Sequence, residues 1–317
     1  MWKYVSKRFG QSTLALIICS FVSFILIHQL PGSAAYSMYG ANAQRLTEVE
    51  LVRIEQALLG NESLIMQYIH WMGDLLQGDW GFSFSQQQDV LSLIKGQSLY
   101  TAVVVAMALV FTNILMTVWF YILQRANNKI LRSFLGSVLL SAMVVPGFWI
   151  SFFLLWFCGA VLGWFPLYGV GDGSGGSVLY HTILPSVALA LPAVYYGVKL
   201  LEDQFAELKQ EPFMIQLQER SISKRRLARH IFPHLGLVYL QLNGYFVTAF
   251  IGGTIAVETV FSIPGIGKLT VEATKMHDYP TLLIIILVSL AVILVVQLLI
   301  DMCSCWIDPR VYRSLKE

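Results

Sequence analysis

Charge is scarce in this chain. Asp, Glu, Lys and Arg make up 13% of its 317 residues, about half the roughly 25% share typical of soluble globular proteins. Hydrophobic residues make up 56%, and the mean hydropathy is +0.64. The polar surface that would hold the chain in water is missing. Neither sign of charge prevails, with 21 basic against 19 acidic residues, which excludes a basic nucleic-acid binder and an acidic disordered tail. Cysteine is scarce as well. Cys19, Cys158, Cys303 and Cys305 are too few and too scattered for a disulfide framework, and the first two lie inside apolar runs, so all four read as structural or neutral. The motifs of catalysis are absent too. In Gly265-Ile-Gly267-Lys268-Leu269, a phosphate-cradling loop would need Gly where Ser262 stands and Ser or Thr where Leu269 stands. No ATP is expected to bind this chain by that route. There is no His-Glu-x-x-His, Cys-x-x-Cys or Gly-x-Ser-x-Gly, and the six histidines are scattered singly. No catalytic residue and no metal site is therefore expected.

What the sequence does have is length without charge. A helix needs about 20 mostly apolar residues to cross the hydrocarbon of a bilayer. Six stretches free of Asp, Glu, Lys and Arg reach that length: 9–44, 96–124, 133–171, 173–198, 230–257 and 279–300. The expectation is an all-α polytopic membrane protein with six transmembrane helices. The first stretch follows Lys3, Lys7 and Arg8 in the manner of a secretory signal. Its apolar core from about Leu14 to Leu30 is long for one, and no small-residue cleavage site precedes Pro31, so it reads as a retained span.

An even number of spans puts both termini on one side. The N-terminus, the 125–132 loop, the 199–229 loop and the C-terminal tail together hold 16 of the 21 basic residues, which marks that side as cytoplasmic. The chain then divides into a tail and first span (1–30), an outer loop region (31–97), a five-helix core (98–306) and a cytoplasmic tail (307–317). The outer loop holds seven acids against three bases, a modestly acidic face. Pro146, Pro185 and Pro192 fall within spans, where a missing N–H tends to kink a helix.

Two segments could carry function. The loop from Leu200 to Arg229 is far longer than a turn requires. It carries Phe213, Met214 and Leu217, then a break at Ser221-Ile222-Ser223, then the basic run Lys224-Arg225-Arg226 leading into span five. This pattern predicts a short helix, a turn and a second helix. Such an element either lies on lipid headgroups or docks into a partner, and the pattern alone does not choose. The other segment runs from Glu258 to Gly267. An acid at the end of an apolar run must sit near the interface, face water or pair within the bundle. Pro264-Gly265-Ile266-Gly267 predicts a sharp reversal, followed by a short helix over about 266–276.

Several separated segments share one family pattern. They are Lys7-Arg8, Leu30-Pro31-Gly32, Gly78-Asp-Trp-Gly-Phe-Ser-Phe84, Phe165-Pro-Leu167, Glu258-Thr-Val-Phe-Ser-Ile-Pro-Gly-Ile-Gly267, His277-Asp-Tyr-Pro280 and Asp308-Pro-Arg310. Taken in this order, the chain resembles the inner-membrane permease subunits of the ABC importers for dipeptides, oligopeptides and nickel, in the branch with a short N-terminal tail and a large first outer loop. The resemblance implies coupling helices in the 200–229 loop that seat in a groove of an ATP-hydrolysing subunit. It assigns Phe213, Met214, Leu217, Arg220, Ser221, Arg225 and Arg226 to that contact. Ser221 stands where the family has Gly. It also implies an outer-gate signature of Glu258, Phe261, Pro264, Gly265 and Gly267.

The expected partners are a second homologous permease, two ATP-binding subunits holding ATP and Mg, an outer substrate-binding protein and membrane lipid, with no nucleic acid. The expected location is the bacterial cytoplasmic membrane. Peptide is the first cargo. Nickel or another metal chelate, cationic antimicrobial peptides and polyamines are alternatives within the same architecture. A secondary transporter would need ionisable residues at mid-membrane, and the six windows hold no acid. A membrane scaffold would not need the 258–267 signature.

Overall fold

A computed structural model of the chain describes residues 2–29, 46–47, 49–50, 63–83, 85–219 and 224–307, with the backbone alone for 2–5, 218–219, 224–230 and 232. Among the described residues the chain is almost wholly helical. The helices are α1 (Trp2–His28), α2 (Leu64–Gln77), α3 (Val90–Arg125), α4 (Lys129–Val144) and α5 (Gly147–Leu154), the last continued by a π-helical segment (Leu155–Val161). They are followed by α6 (Gly175–Gln210), α7 (Pro212–Glu219), α8 (Lys224–Phe261), α9 (Ile266–Lys275) and α10 (Tyr279–Ile307). A two-stranded hairpin, β1 (Phe82–Ser83) with β2 (Gln88–Asp89), precedes α3.

Five helices, α1, α3, α6, α8 and α10, are long and apolar enough to cross a membrane unbroken. The sixth expected span is bent by 99° between α4 and the run from Gly147 to Val161. Pro146 is the cause. It holds Val145 in the extended region (φ −71°, ψ 127°), ending α4, and its carbonyl accepts the Trp149 N–H that opens α5. Pro185 and Pro192 lie inside the continuous helix α6, and Pro233 lies inside α8.

Contacts between helix ends establish the topology. Arg8 near the start of α1 meets Asp301 near the end of α10 at 3.3 Å, and Arg132 at the start of α4 meets Glu202 at 2.6 Å. At the opposite face Thr101 of α3 meets Glu258 of α8, and Gly169 donates its N–H to the Phe261 carbonyl at 2.9 Å. Between Arg132 and Gly169 the chain passes from one face to the other. The bent pair therefore makes one crossing, and α1 starts on the face where α10 ends.

The main core is formed by α3, α6 and α8, with Val104, Met116, Val194, Val198, Phe246 and Phe250 buried between them. Gly197 permits the close approach of α6, since a Cβ there would lie 2.3 Å from the Met116 sulfur. Inside the apolar layer Asn113 and Asn243 exchange amide hydrogen bonds of 2.7 and 3.2 Å, joining α3 to α8. Hydrogen bonding of this kind holds membrane helices together, where hydrophobic burial supplies little drive.

Helix α3 begins at Val90, ahead of the charge-free window at 96–124. Val90, Leu93 and Ile94 are buried against Leu269 and Ile284, and that packing extends the helix outward. Over 200–229 the described residues comprise the end of α6 to Gln210, the short helix α7 and, from Lys224, a helix that runs on into the span of α8.

Candidate functional site

The segment from Glu258 to Gly267 folds into a reversal between α8 and α9. Ser262 adopts a left-handed conformation (φ +53°) just past the end of α8. The Ile263 N–H returns to the Glu258 carbonyl at 2.9 Å and the Ser262 N–H to that of Thr259, closing the helix in a Schellman arrangement. The chain then re-enters as α9, whose first N–H groups have no partner within their own helix. Glu258 supplies one. Its side chain is fully buried, and Oε2 accepts the Lys268 N–H at 3.1 Å, with the Gly267 N–H also directed to the carboxylate.

Thr101 completes the arrangement from α3. Its hydroxyl donates to Glu258 Oε1 at 2.7 Å and accepts the Ile266 N–H at 2.8 Å. One carboxylate and one hydroxyl thus cap the N-terminus of α9 and tie three elements together. A carboxylate is also the favoured charge at a helix N-terminus. The glycines follow from this packing. A Cβ at Gly265 would lie 2.3 Å from Glu258 Oε2, and one at Gly267 would lie 2.6 Å from the Ile255 nitrogen and the Thr254 carbonyl carbon. Phe261 and Ile263 are buried beside the turn and Pro264 is half-buried. Glu258, Gly265 and Gly267 therefore belong to one structural unit. Thr101, 157 residues away from Glu258, carried no signal in the sequence.

A second tie lies at the other end of α9. His277, again left-handed (φ +55°), ends that helix, and the buried Asp278 follows. Its Oδ2 accepts hydrogen bonds from the Ser83 hydroxyl at 2.5 Å and the Ser85 hydroxyl at 2.6 Å, and Oδ1 receives the Thr281 N–H at 3.4 Å. The outer motif at 78–84 and the motif opening span six, both legible as segments, are thus partners across the fold; Phe84 lies outside the described residues. Next to this tie, α2 packs on α1 and α10 through Tyr68, Phe24 and Leu283, and Tyr68 shares a 2.7 Å hydrogen bond with Ser20. A cleft of about 480 Å³ opens here, lined by Phe24, Trp71, Trp80 and Tyr279 with Asp74 and Asp79.

On the opposite face α7 separates α6 from α8. Met214 is buried at 1% exposure, Phe213 is half-buried and stacks on His234 of α8 at 5.6 Å, and Leu217 is half-buried. Met214 thus faces the chain's own bundle, while Phe213 and Leu217 keep part of their surface open. Ile215, 46% exposed, and Gln216 stand outward instead. Arg220 and Ser221 lie outside the described residues. Arg225 and Arg226 fall in the first turns of α8, where the backbone alone is described. Among the described residues no group of three or more His, Cys, Asp or Glu could hold a metal ion, and all four cysteines are free thiols.

A bundle of helices long and apolar enough to cross a membrane, cross-tied at one end and with a short helix between two long spans at the other, is the architecture of a polytopic membrane protein. The chain belongs to the family described as "Binding-protein-dependent transport system inner membrane component", whose model matches residues 121–312. The N-terminal model, "Binding-prot-dependent transport system membrane comp, N-term", matches residues 1–109. This family is the membrane component of ABC importers. The chain is 28% identical over 316 residues to the "Probable peptide ABC transporter permease protein y4tP" of Sinorhizobium fredii, covering 98% of this chain and 99% of that one. It is 27% identical to the glutathione transport system permease protein GsiC of Shigella flexneri and 24% identical to the oligopeptide transport system permease protein AppB of Bacillus subtilis, with the same coverage of each chain. The family to which the chain belongs is a transport permease component and not a catalytic enzyme.

Proposed function

We propose that this chain forms half of a membrane path for peptides, paired with a second homologous permease and driven by two ATP-binding subunits on the face that carries the termini. That face is cytoplasmic in this reading. An outer binding protein delivers the cargo, and ATP and Mg reside on the partner subunits. End-to-end similarity to permeases named for peptides, oligopeptides and glutathione supports the cargo class.

The observation that carries the coupling is α7. It follows α6 on the face where Arg8 meets Asp301, exposes Ile215 and Gln216 to that side, and is joined to α8 through Phe213 and His234. Closure of the ATP-binding subunits would press on α7 and pass to α8. The two conformations of the bundle are then selected by their different affinity for the closed ATPase pair. Ile215, with the basic pair Arg225 and Arg226, is the contact we assign; Phe213, Met214 and Leu217 hold α7 to the bundle.

Reconstitution with the neighbouring ATPase pair and binding protein tests this. Uptake of labelled peptide should require ATP, and Ile215→Asp should lower it at least about tenfold, as loss of an apolar interface anchor does. ATP-independent uptake, or full uptake by the Ile215→Asp complex, would overturn the reading.

A further inference from the structure

The exposed residues of the spans are of two kinds. On α1 they include Ile18, Val22 and Leu26, and on α10 Val292, Val295 and Leu299, all aliphatic. On α8 the exposed positions include 241, 245, 248, 252, 255 and 259, spaced four and three apart and so aligned on one helical face. Ile255 apart, they are Gln241, Tyr245, Thr248, Gly252 and Thr259, all within the span Pro233–Phe261. Thr248 and Thr259 spend their hydroxyl protons on the carbonyls of Gly244 and Ile255; the Thr248 oxygen accepts from the Gln297 amide of α10 at 3.5 Å, and the exposed Thr259 oxygen remains an outward acceptor. Among the described residues neither the Gln241 amide nor the Tyr245 hydroxyl has a hydrogen-bond partner in the chain. The Tyr245 ring lies beside that of Tyr196 on α6, with centroids 4.8 Å apart.

Unpaired amides and hydroxyls do not face hydrocarbon, where each would go unsatisfied at a cost of several kcal/mol. Nor does this face suit close helix packing. Gln241, Tyr245 and Tyr196 project from its inner half, where tight helix contacts in membranes use small side chains.

We infer that this face of α8, with Tyr196, is the wall of a water-filled path and contacts the main chain of the transported peptide. The inference rests on the peptide-permease reading and adds to it the residues and their chemistry. The face carries no charged side chain. Its amide and hydroxyls match groups every peptide has, backbone N–H and C=O, so passage is tolerant of side-chain sequence and charge.

Single cysteines placed by Thr248→Cys, Tyr245→Cys and, for a lipid-facing comparison, Val295→Cys test the assignment in a cysteine-free version of the assembled complex. Each is treated in proteoliposomes with a membrane-impermeant cationic methanethiosulfonate, and modification is read by intact mass. Thr248→Cys and Tyr245→Cys should react roughly tenfold faster than Val295→Cys, as water access requires. A mixture of tripeptides supplied with the binding protein should slow them. Equal, slow rates at all three sites would overturn the aqueous wall, and fast reaction that peptides leave unchanged would overturn the contact with cargo. ATP-driven peptide uptake by the parent complex is measured separately. If it is absent while the two sites label fast, the cargo reading fails and the aqueous wall stands.

Discussion

Removing the Glu258 carboxylate should be the most damaging single change at the α8–α9 end of the bundle. In the parent chain it receives hydrogen bonds from the Thr101 hydroxyl and the Lys268 and Gly267 N–H groups. Hydrogen bonds to a charged group are worth about 1.5–3 kcal/mol each. The desolvation of a fully buried carboxylate offsets part of that sum, so the low end applies. Glu258→Ala then costs about 4 kcal/mol, since it also leaves the first N–H groups of α9 without partners. Glu258→Gln keeps the volume and one acceptor oxygen and should cost about 1.5 kcal/mol. For a chain of this size the loss corresponds to about 2 °C per kcal/mol, so the Ala variant should melt about 8 °C lower and the Gln variant about 3 °C lower. The eight tryptophans provide the signal for a fluorescence melt in detergent. Thr101→Val closes a double-mutant cycle with Glu258→Gln, and a coupling of about 1 kcal/mol is expected for side chains in direct contact. An Ala variant melting within 2 °C of the parent, or strictly additive single changes, would refute the capping role.

The two glycines of the signature should differ in tolerance. Gly267→Ala drives its Cβ into the backbone of Thr254 and Ile255, which cannot rotate away, whereas Gly265→Ala meets only the end of the Glu258 side chain. In the same melt Gly267→Ala should therefore be the worse of the two, by about 1 kcal/mol or more, and the opposite order would count against the packing described. Asp278→Ala leaves the Ser83 and Ser85 hydroxyls without their buried acceptor. That should cost about 3 kcal/mol and speed proteolytic cleavage between Gly78 and Asp89; unchanged cleavage would show the hairpin to be held otherwise. Asp172, on the outer linker, has its carboxyl held below the ordinary 3.8 by hydrogen bonds from the Ser174 hydroxyl and N–H. A depressed carboxyl stabilises the start of α6 above its unfolded value and ceases to do so as pH falls through the folded one. Carbon-detected titration of Asp172 should give a midpoint under 3.8, and a midpoint at or above it would contradict the contact.

The spans were legible because hydrocarbon imposes one rule, a long run without charge, that needs no knowledge of neighbours. The break at Pro146 and the continuity through Pro185 and Pro192 were not separable by that rule. All three lack the same N–H, and the difference lies in surroundings: Pro185 is buried and Pro192 half-buried inside α6, while Pro146 follows the end of α4. The reversal after Phe261 and the short helix after it were readable from Pro264, Gly265 and Gly267. The partner that fixes them, Thr101, was not, because a lone Thr in an apolar run has no periodicity to mark it. The pairing of Asp278 with Ser83 was hidden in the same way, although both residues stood in recognisable segments. On α7 Met214 is buried and Phe213 stacks on His234 of α8, contacts that the apolar pattern of that segment does not by itself specify.

The ties described here make α8 the common member of both ends of the molecule. Its 38 residues rise about 57 Å at 1.5 Å each, well beyond the roughly 30 Å of a hydrocarbon core. It therefore joins the surface layer of α7 to the reversal at Glu258 without an intervening loop. Phe213 and His234 join α7 to one end, and the other end is fastened to α3 and α9 by Glu258. Pro233, next to His234, is the point along this helix where an internal hydrogen bond is missing, so bending concentrates there rather than near the clamp. The exposed polar face from Gln241 to Thr259 lies between these two points. A tilt of α8 therefore moves that face about its contact with α10, where Gln297 meets both Gly244 and Thr248.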